Sequence, residues 1–98
     1  MKIEKDRKGQ ELTLTLSGRL DTTTAPTLEQ ELQQSWNDIS TLILELKELD
    51  YISSAGLRVI LTAQKHMLKQ GSMKLRNLSD NVREVFEMTG FADIMTIE

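Results

Sequence analysis

Hydrophobic and polar residues alternate in three stretches of the sequence, which is typical of β-strands with one buried face. Leucines occupy every second position of Glu11–Ser17, with threonines between them. Thr41–Leu46 and Met73–Leu78 have a similar pattern, although Ile43 interrupts it. A weaker and highly charged segment, Lys2–Arg7, precedes the first leucine strand across a short turn. We therefore expect an antiparallel hairpin followed by further strands.

Between the first two leucine strands, apolar residues recur at spacings of three and four, which is the spacing of one face of an α-helix. The helix is expected to begin near Thr24, because Pro26 in a first helical turn loses no needed N–H. Its end is expected around Asn37–Asp38. The apolar stripe of this helix consists of Ala25, Leu28, Leu32 and Trp36.

Two further helices are indicated by serines that precede them and glycines that follow them. The second helix is expected to begin within Ser53–Ser54 and to end at Gln70, where Gly71 suits a left-handed C-terminal cap. The third is expected to follow Ser79 and to stop at Gly90. Each helix therefore lies after a strand, as in a βαβ unit.

The repeated strand and helix predict an α/β fold with parallel inner strands. The alternating leucines leave one face of the sheet exposed, so all helices should cover the other face through right-handed crossovers. Phe91–Ile97 offers a short turn and a last strand. We expect a one-sided sheet of about five strands in the order 1-2-3-4-5, with the first antiparallel and the rest parallel.

The carboxyl ends of parallel strands share one edge of a sheet, and that edge is where α/β proteins usually carry their sites. Three polar groups follow the inner strands and are expected to lie together there: Asp21, Ser53–Ser54 and Asn77–Ser79. A serine at a helix start lies where several N–H dipoles converge, and such a position accommodates an added phosphate. This edge is the predicted functional region.

Length, composition and charge narrow the class of protein. The 98 residues suit one domain, 1–98, that holds a core without disulfides or metals. The absence of cysteine excludes a disulfide framework and a thiol nucleophile. A net charge of -3 supplies no broad basic field for nucleic acid. No segment resembles a signal peptide or a membrane span, so we expect a cytoplasmic protein with no direct membrane insertion.

Catalytic chemistry has little support in the sequence. A nucleophilic Ser54 would need a nearby base, and the only histidine, His66, lies twelve residues later on the same helix, about 18 Å away. His66 is expected to be a surface residue near a helix C-terminus. Neither a metal-ligand set nor a glycine-rich nucleotide loop is present. We therefore predict no enzyme, no cofactor and no metal.

Three sequence blocks carry a resemblance to a known family. Tyr51–Leu61, YISSAGLRVIL, resembles the signature of the STAS domain family, the bacterial anti-sigma factor antagonists and their relatives. Leu16–Asp21 with the helix start in Thr22–Leu28 resembles the family's first conserved block, and Val82–Gly90 resembles its third helix. The three blocks stand in the right order at family-like spacing, and the resemblance extends over nearly the whole chain. The family fold also agrees with the one-sided sheet.

The resemblance implies a protein-binding module that is switched by phosphorylation. Such antagonists bind an anti-sigma factor that is also a serine kinase, and phosphorylation of the motif serine breaks the complex; a serine phosphatase is the further implied partner. The usual motif is Asp-Ser-[Ser/Thr/Ala]-Gly-Leu, which places the acceptor on Ser54 and puts Ser53 where aspartate is usual. Ser53 is thus a second candidate acceptor. The implied partner-binding residues are Asp21, Thr22, Thr24, Ser53, Ser54, Gly56, Leu57 and Arg58.

Two other functions fit the same fold. One is a STAS subunit of a lipid-transport ATP-binding-cassette complex, in which the loop hydroxyl need not be phosphorylated. The other is a small-ligand binder, or an enzyme, that uses the helix N-terminus as an anion site. Recovery of a transporter ATPase would favour the former, and turnover or tight nucleotide binding would favour the latter.

Overall fold

The computed structural model describes residues 1–98 as a four-stranded sheet with three α-helices. The strands follow one another in space in the order β1-β2-β3-β4. The elements are β1 Lys2–Lys8, β2 Glu11–Leu20, α1 Ala25–Ser35, β3 Thr41–Ile52, α2 Ser54–Leu68, β4 Ser72–Arg76, α3 Asp80–Met88 and a 3-10 turn at Phe91–Asp93.

The strand directions confirm the expected topology. β1 pairs antiparallel with β2, and Gly9 in the turn between them has a positive φ of 62°. β2, β3 and β4 are parallel neighbours. Glycine suits this turn because it adopts a positive φ without steric cost.

The predicted turn after α3 is present, but the predicted last strand is reduced to a single bridge, so the sheet has four strands rather than about five. Within Phe91–Ile97, the residues that follow α3 wind into the 3-10 turn, where the Ile94 N–H donates to the Phe91 carbonyl at 3.1 Å. Only the last residues extend beside β4, and they form a single parallel bridge between Leu75 and Ile97. Because Phe91–Ile94 form this turn, too few residues follow it to make a longer strand.

The core lies between one face of the sheet and the helices. The leucines predicted to point inward from β2 and β3 are fully or almost fully buried, together with apolar residues of all three helices. Thr13 and Thr15 lie on the opposite face and are half-buried. Ile43 lies outside this core cluster but is only 1% exposed, with Thr13 and Lys74 as its neighbours on the flanking strands. A central strand therefore tolerates an apolar residue on its outer face.

The predicted role of Gly71 is wrong. Its φ is not positive, and α2 ends at Leu68 with Lys69 as a right-handed cap. A Cβ at Gly71 would instead overlap the carbonyl oxygen of Ser40, which also accepts the Ser72 N–H at 3.0 Å. Glycine is required here because two backbone segments pass in contact.

β3 is longer than the alternation predicts, and this length shapes the functional edge. It runs to Ile52, while its pairing with β4 stops where Glu45 faces Arg76. The rest of β3 continues beside β2, with register shifts after Thr15 and Gly18. α1 ends at residue 35, slightly before the predicted end.

Candidate functional site

The candidate site lies where β2 and β3 end side by side. Leu20 and Ile52 are partners in the register, and the Ser53 N–H donates to the Leu20 carbonyl at 2.9 Å. Both strands therefore deliver the chain to the same edge of the sheet. Asp21 follows one strand and Ser53 the other, as the sequence predicted.

The two serines of the motif have different positions. Ser53 is the N-cap of α2, with extended backbone angles, and its Oγ accepts the Gly56 N–H at 3.4 Å. Ser53 is half-buried. Ser54 is the first residue of α2, is exposed, and its hydroxyl makes no hydrogen bond within the chain. The structure thus separates a serine that caps the helix from a serine that is presented to solvent.

Asp21 organises the turn that leads into α1. Its Oδ1 accepts from the Thr23 N–H at 3.0 Å, the Thr23 hydroxyl at 2.7 Å and the Thr24 N–H at 3.2 Å. The hydrogen bond from the Thr23 hydroxyl is the main cause that holds the pKa of Asp21 below its ordinary value, and desolvation opposes it. The carboxylate is therefore ionised and engaged within its own turn.

Thr24 connects this turn to the end of β2. Its hydroxyl accepts the Asp21 N–H at 2.8 Å and donates to the Arg19 carbonyl at 2.8 Å. Thr24 is half-buried, whereas Thr22 is exposed. Of these two threonines, only Thr22 presents its side chain freely at the surface.

Gly56 and Leu57 lie beneath the surface of the site. A Cβ on Gly56 would come within 2.6 Å of the Leu20 Cγ, so the start of α2 packs directly on the end of β2. Leu57 is only 4% exposed and belongs to the core. Both residues hold the turn in place, and Arg58, which follows them, is exposed.

An open groove of about 250 Å³ separates the first turns of α1 and α2. Thr22, Pro26 and Glu29 line one side, and Arg58 and Thr62 lie on the other. The groove includes two of the predicted partner-binding residues, Thr22 and Arg58, and Arg58 is its only cation. Its shape and mixed polarity suit contact with a protein surface.

Comparisons with known proteins identify the family. The STAS domain model matches residues 2–98. The chain belongs to the STAS domain family.

Two relatives align along almost all of this STAS domain. A Bordetella bronchiseptica protein described as a candidate anti-sigma factor antagonist, BtrV, is 40% identical over 99 residues, which cover 99% of this chain and 85% of that protein. The anti-sigma-B factor antagonist of Bacillus subtilis is 35% identical over 100 residues, which cover 99% and 92%.

Solved structures show the same STAS fold. An anti-sigma factor antagonist from Mycobacterium paratuberculosis superposes with a TM-score of 0.90 at 20% identity, covering 98% of this chain and 83% of that one. The Bacillus cell fate determinant SpoIIAA in its phosphorylated form gives a TM-score of 0.77 at 19% identity, covering 99% and 91%. The sequence-based recognition of the family is confirmed.

An arginine and a tyrosine at the same edge were not predicted. The Arg19 guanidinium lies 4.1 Å from the centre of the Tyr51 ring, and the two residues are register partners. Tyr51 is 41% exposed, which makes it an aromatic side chain at the surface of the STAS domain. A cation–π pair between two strands can be predicted only when the register of the strands is known. The sequence pattern ended β3 at Leu46, so it gave no register for Tyr51.

Asn77 and Ser79 do not join the site as expected. The Asn77 side-chain amide donates to the Glu45 carboxylate at 2.8 Å, and the Ser79 hydroxyl donates to the Leu49 carbonyl at 3.3 Å. Leu49 precedes Ser53 by four residues, or about 13 Å of extended strand. β3 extends past the end of β4, so the loop that follows β4 lies apart from the Asp21 and Ser53–Ser54 turns.

His66 is not a simple surface residue. It is half-buried, and its ring stacks on Trp36 with centroids 4.0 Å apart and an interplanar angle of 12°. This contact joins α2 to the segment after α1, away from the first turn of α2.

In the same structure, no three His, Asp or Glu side chains cluster as metal ligands would. None of the helices combines the length and apolar character needed to span a bilayer.

Proposed function

We propose that this STAS domain is an anti-sigma factor antagonist that binds an anti-sigma factor through the edge formed by the Asp21 and Ser53–Ser54 turns. The observation that carries the proposal is the exposed and unbonded hydroxyl of Ser54, the first residue of α2 and the neighbour in sequence of Ala55, which lines the groove. The two relatives described as antagonists, at 40% and 35% identity over nearly the whole chain, support the same function.

Phosphorylation of Ser54 is the proposed switch. A phosphate adds about -1.5 to -2 charges at neutral pH. The N-terminus of a helix tolerates this charge, whereas a partner surface that packs on a neutral hydroxyl does not. Release of the partner would then need no refolding of the domain. SpoIIAA, which shares the fold, is known in a phosphorylated form.

The geometry favours Ser54 over Ser53 as the acceptor. The Ser53 hydroxyl is half-buried and already bonded to the Gly56 N–H, whereas Ser54 is exposed with its hydroxyl unbonded. Serine and aspartate are comparable N-caps. Serine at position 53, where the family usually has aspartate, therefore preserves the cap and removes one negative charge from the acceptor's neighbour.

The proposed partner is an anti-sigma factor that is also a serine kinase, and a serine phosphatase would reverse its action. In this proposal the STAS domain is a substrate and a binding surface, with no catalytic role of its own. Ala55, the residue after Ser54, lines the groove between α1 and α2, so a kinase bound in the groove would be close to the acceptor hydroxyl.

The test is binding of the purified domain to the anti-sigma factor encoded in the same genome, measured by titration calorimetry. We expect Ser54→Asp to weaken binding at least about tenfold, or ~1.4 kcal/mol. Ser54→Ala should remain bound in the presence of kinase activity and ATP. Ser72 is the other exposed serine, so Ser72→Asp is a matched control that should bind normally.

Phosphate mapping by mass spectrometry completes the test. The phosphate is expected on Ser54 after incubation with the anti-sigma factor and ATP. A single phosphate elsewhere, or equal weakening by Ser72→Asp, would contradict the proposed switch. Recovery of a transporter ATPase in place of an anti-sigma factor would contradict the proposed partner.

A further inference from the structure

Arg58 is a free cation one helical turn from Ser54. It is exposed, forms no ion pair, and is the only positively charged residue that lines the groove. Glu29 lines the groove from α1, yet the two charges make no salt bridge. The guanidinium therefore has no strong partner within the chain.

We propose that Arg58 is the internal counter-charge for a phosphate on Ser54. In this arrangement, phosphorylation draws the guanidinium out of the groove and toward the phosphate on the same helix. The inference rests on the proposed function in one respect, because it takes Ser54 as the phosphate acceptor. It adds a role for Arg58 in the regulation of that site.

Helix geometry supports the pairing. Residues four apart lie on one face of an α-helix, and side chains tilt toward the N-terminus, so Arg58 leans toward Ser54. An acidic group four residues before a basic one is the favourable order. The planar guanidinium binds two phosphate oxygens at once. The acid of the α1 turn, Asp21, is occupied by hydrogen bonds from its own turn and by the Arg19 guanidinium, whose Nε lies 3.8 Å from the Asp21 Oδ2.

The same geometry discriminates between the two serines. Ser53 is five residues before Arg58, which places the two about 140° apart around the helix axis. Ser54 and Arg58 are only about 40° apart. Arg58 is thus positioned for a phosphate on Ser54 and poorly positioned for one on Ser53.

The pairing would change the docking surface in two ways. The phosphate adds negative charge on the residue before Ala55, which lines the groove, and withdrawal of Arg58 removes the only cation from that lining. Both changes make the surface around the groove more negative. A partner that places an acidic group against Arg58 would therefore lose a favourable contact and meet a repulsive one.

The experiment uses phosphoserine incorporated at position 54 during translation by an expanded genetic code. The second ionisation of the phosphate is followed by ³¹P NMR as the pH is varied at low salt. Arg58→Gln should raise the pKa of this ionisation by about 0.3 pH unit or more, because a nearby cation favours the dianion. Arg58→Lys should give an intermediate value.

Lys65→Gln is the matched control, since Lys65 is an exposed cation of the same helix. It lies eleven residues from Ser54, about 16 Å along the axis, so its removal should leave the titration unchanged. With phosphoserine at position 53, Arg58→Gln should have the smaller effect. An unchanged titration in Arg58→Gln, or an equal shift in Lys65→Gln, would overturn the inference.

Failure of the two proposals is distinguishable. The phosphate is installed without a kinase, so the titration does not depend on any partner. Failure of the anti-sigma factor to bind would overturn the proposed function and leave the pairing of Arg58 with the phosphate standing. Equal titrations in the Arg58 and Lys65 variants would overturn only the pairing.

Discussion

Two strand-to-helix turns meet at the site, and they differ in the hydroxyl groups that lie next to the helix start. In the Asp21 turn, the hydroxyls of Thr23 and Thr24 are both bonded within the chain. In the second turn, Ser53 caps α2 while the hydroxyl of Ser54 stays unbonded and exposed. The first turn is a fixed frame, and the second presents the exposed hydroxyl of Ser54 on it.

This difference indicates how a small domain can carry a phosphorylation site without losing stability. The groups that hold the edge together are separate from the group proposed to be modified. Substitutions in the frame should therefore change stability, and substitution of Ser54 should change mainly binding. The following predictions test that separation, from the largest expected effect to the smallest.

The backbone of Gly56 packs directly against Leu20, where the two turns meet, and replacement of Gly56 should have the largest effect on stability. Gly56→Val places a Cβ within 2.6 Å of the Leu20 Cγ, so we expect a loss of about 2 to 3 kcal/mol in the free energy of unfolding. Urea denaturation measures this loss. Ala55→Val, at the adjacent half-buried position, should cost less than about 1 kcal/mol. Equal losses in the two variants would contradict the claim that Gly56 is required for close packing against Leu20.

Thr24→Val tests the frame itself. The substitution keeps the shape of the side chain but leaves the Asp21 N–H and the Arg19 carbonyl without their hydroxyl partner. We expect a loss of about 1 to 2 kcal/mol in unfolding free energy by urea denaturation. Thr22→Val, at an exposed neighbour, serves as the control. A loss in Thr22→Val as large as that in Thr24→Val would contradict the model of the frame.

Ser53→Ala removes the cap of α2 and should cost about 1 kcal/mol of unfolding free energy. Ser53→Asp should retain most of the stability, because aspartate also caps a helix N-terminus. Both values come from the same denaturation series. A larger loss in Ser54→Ala than in Ser53→Ala would reverse the roles assigned to the two serines.

The pH dependence of stability tests the engagement of Asp21. The Thr23 hydroxyl holds its folded pKa below the ordinary value, so the stabilisation is present above the unfolded pKa and is lost as pH falls through the folded pKa. Wild type should unfold at a higher temperature than Asp21→Asn at neutral pH, and the two unfolding temperatures should converge in acid. The pKa of Asp38 is also lowered, by the hydrogen bond from Arg7, but Asp38 titrates in both proteins. Its contribution therefore cancels in the difference between their unfolding temperatures. A pH-independent difference in Tm would contradict the prediction.

Ser54→Ala should have the smallest effect on stability. The exposed hydroxyl has no partner within the chain, so the change in unfolding free energy should stay within about 0.5 kcal/mol. The same denaturation series measures it. A loss above 1 kcal/mol, on the order of a lost cap, would mean that Ser54 also supports the fold.

Much of the fold could be predicted from local pattern. The alternating leucines identified the inner face of the sheet, and the serine and glycine signals placed α3 between Ser79 and Gly90. These features depend on the periods of strand and helix, which each short segment carries by itself. The family motif likewise predicted Ser54 as the phosphate acceptor before any geometry was known.

The sequence by itself therefore determined the class of fold, the order of its elements and the serine motif. Only the tertiary structure decided that β3 outruns β4, that Gly71 lies against Ser40 and that Arg19 stacks on Tyr51. It also assigned the cap to Ser53 and left Ser54 exposed. The physical reason is that local pattern sets which face of an element is buried, whereas register and close approach depend on residues far apart in the chain.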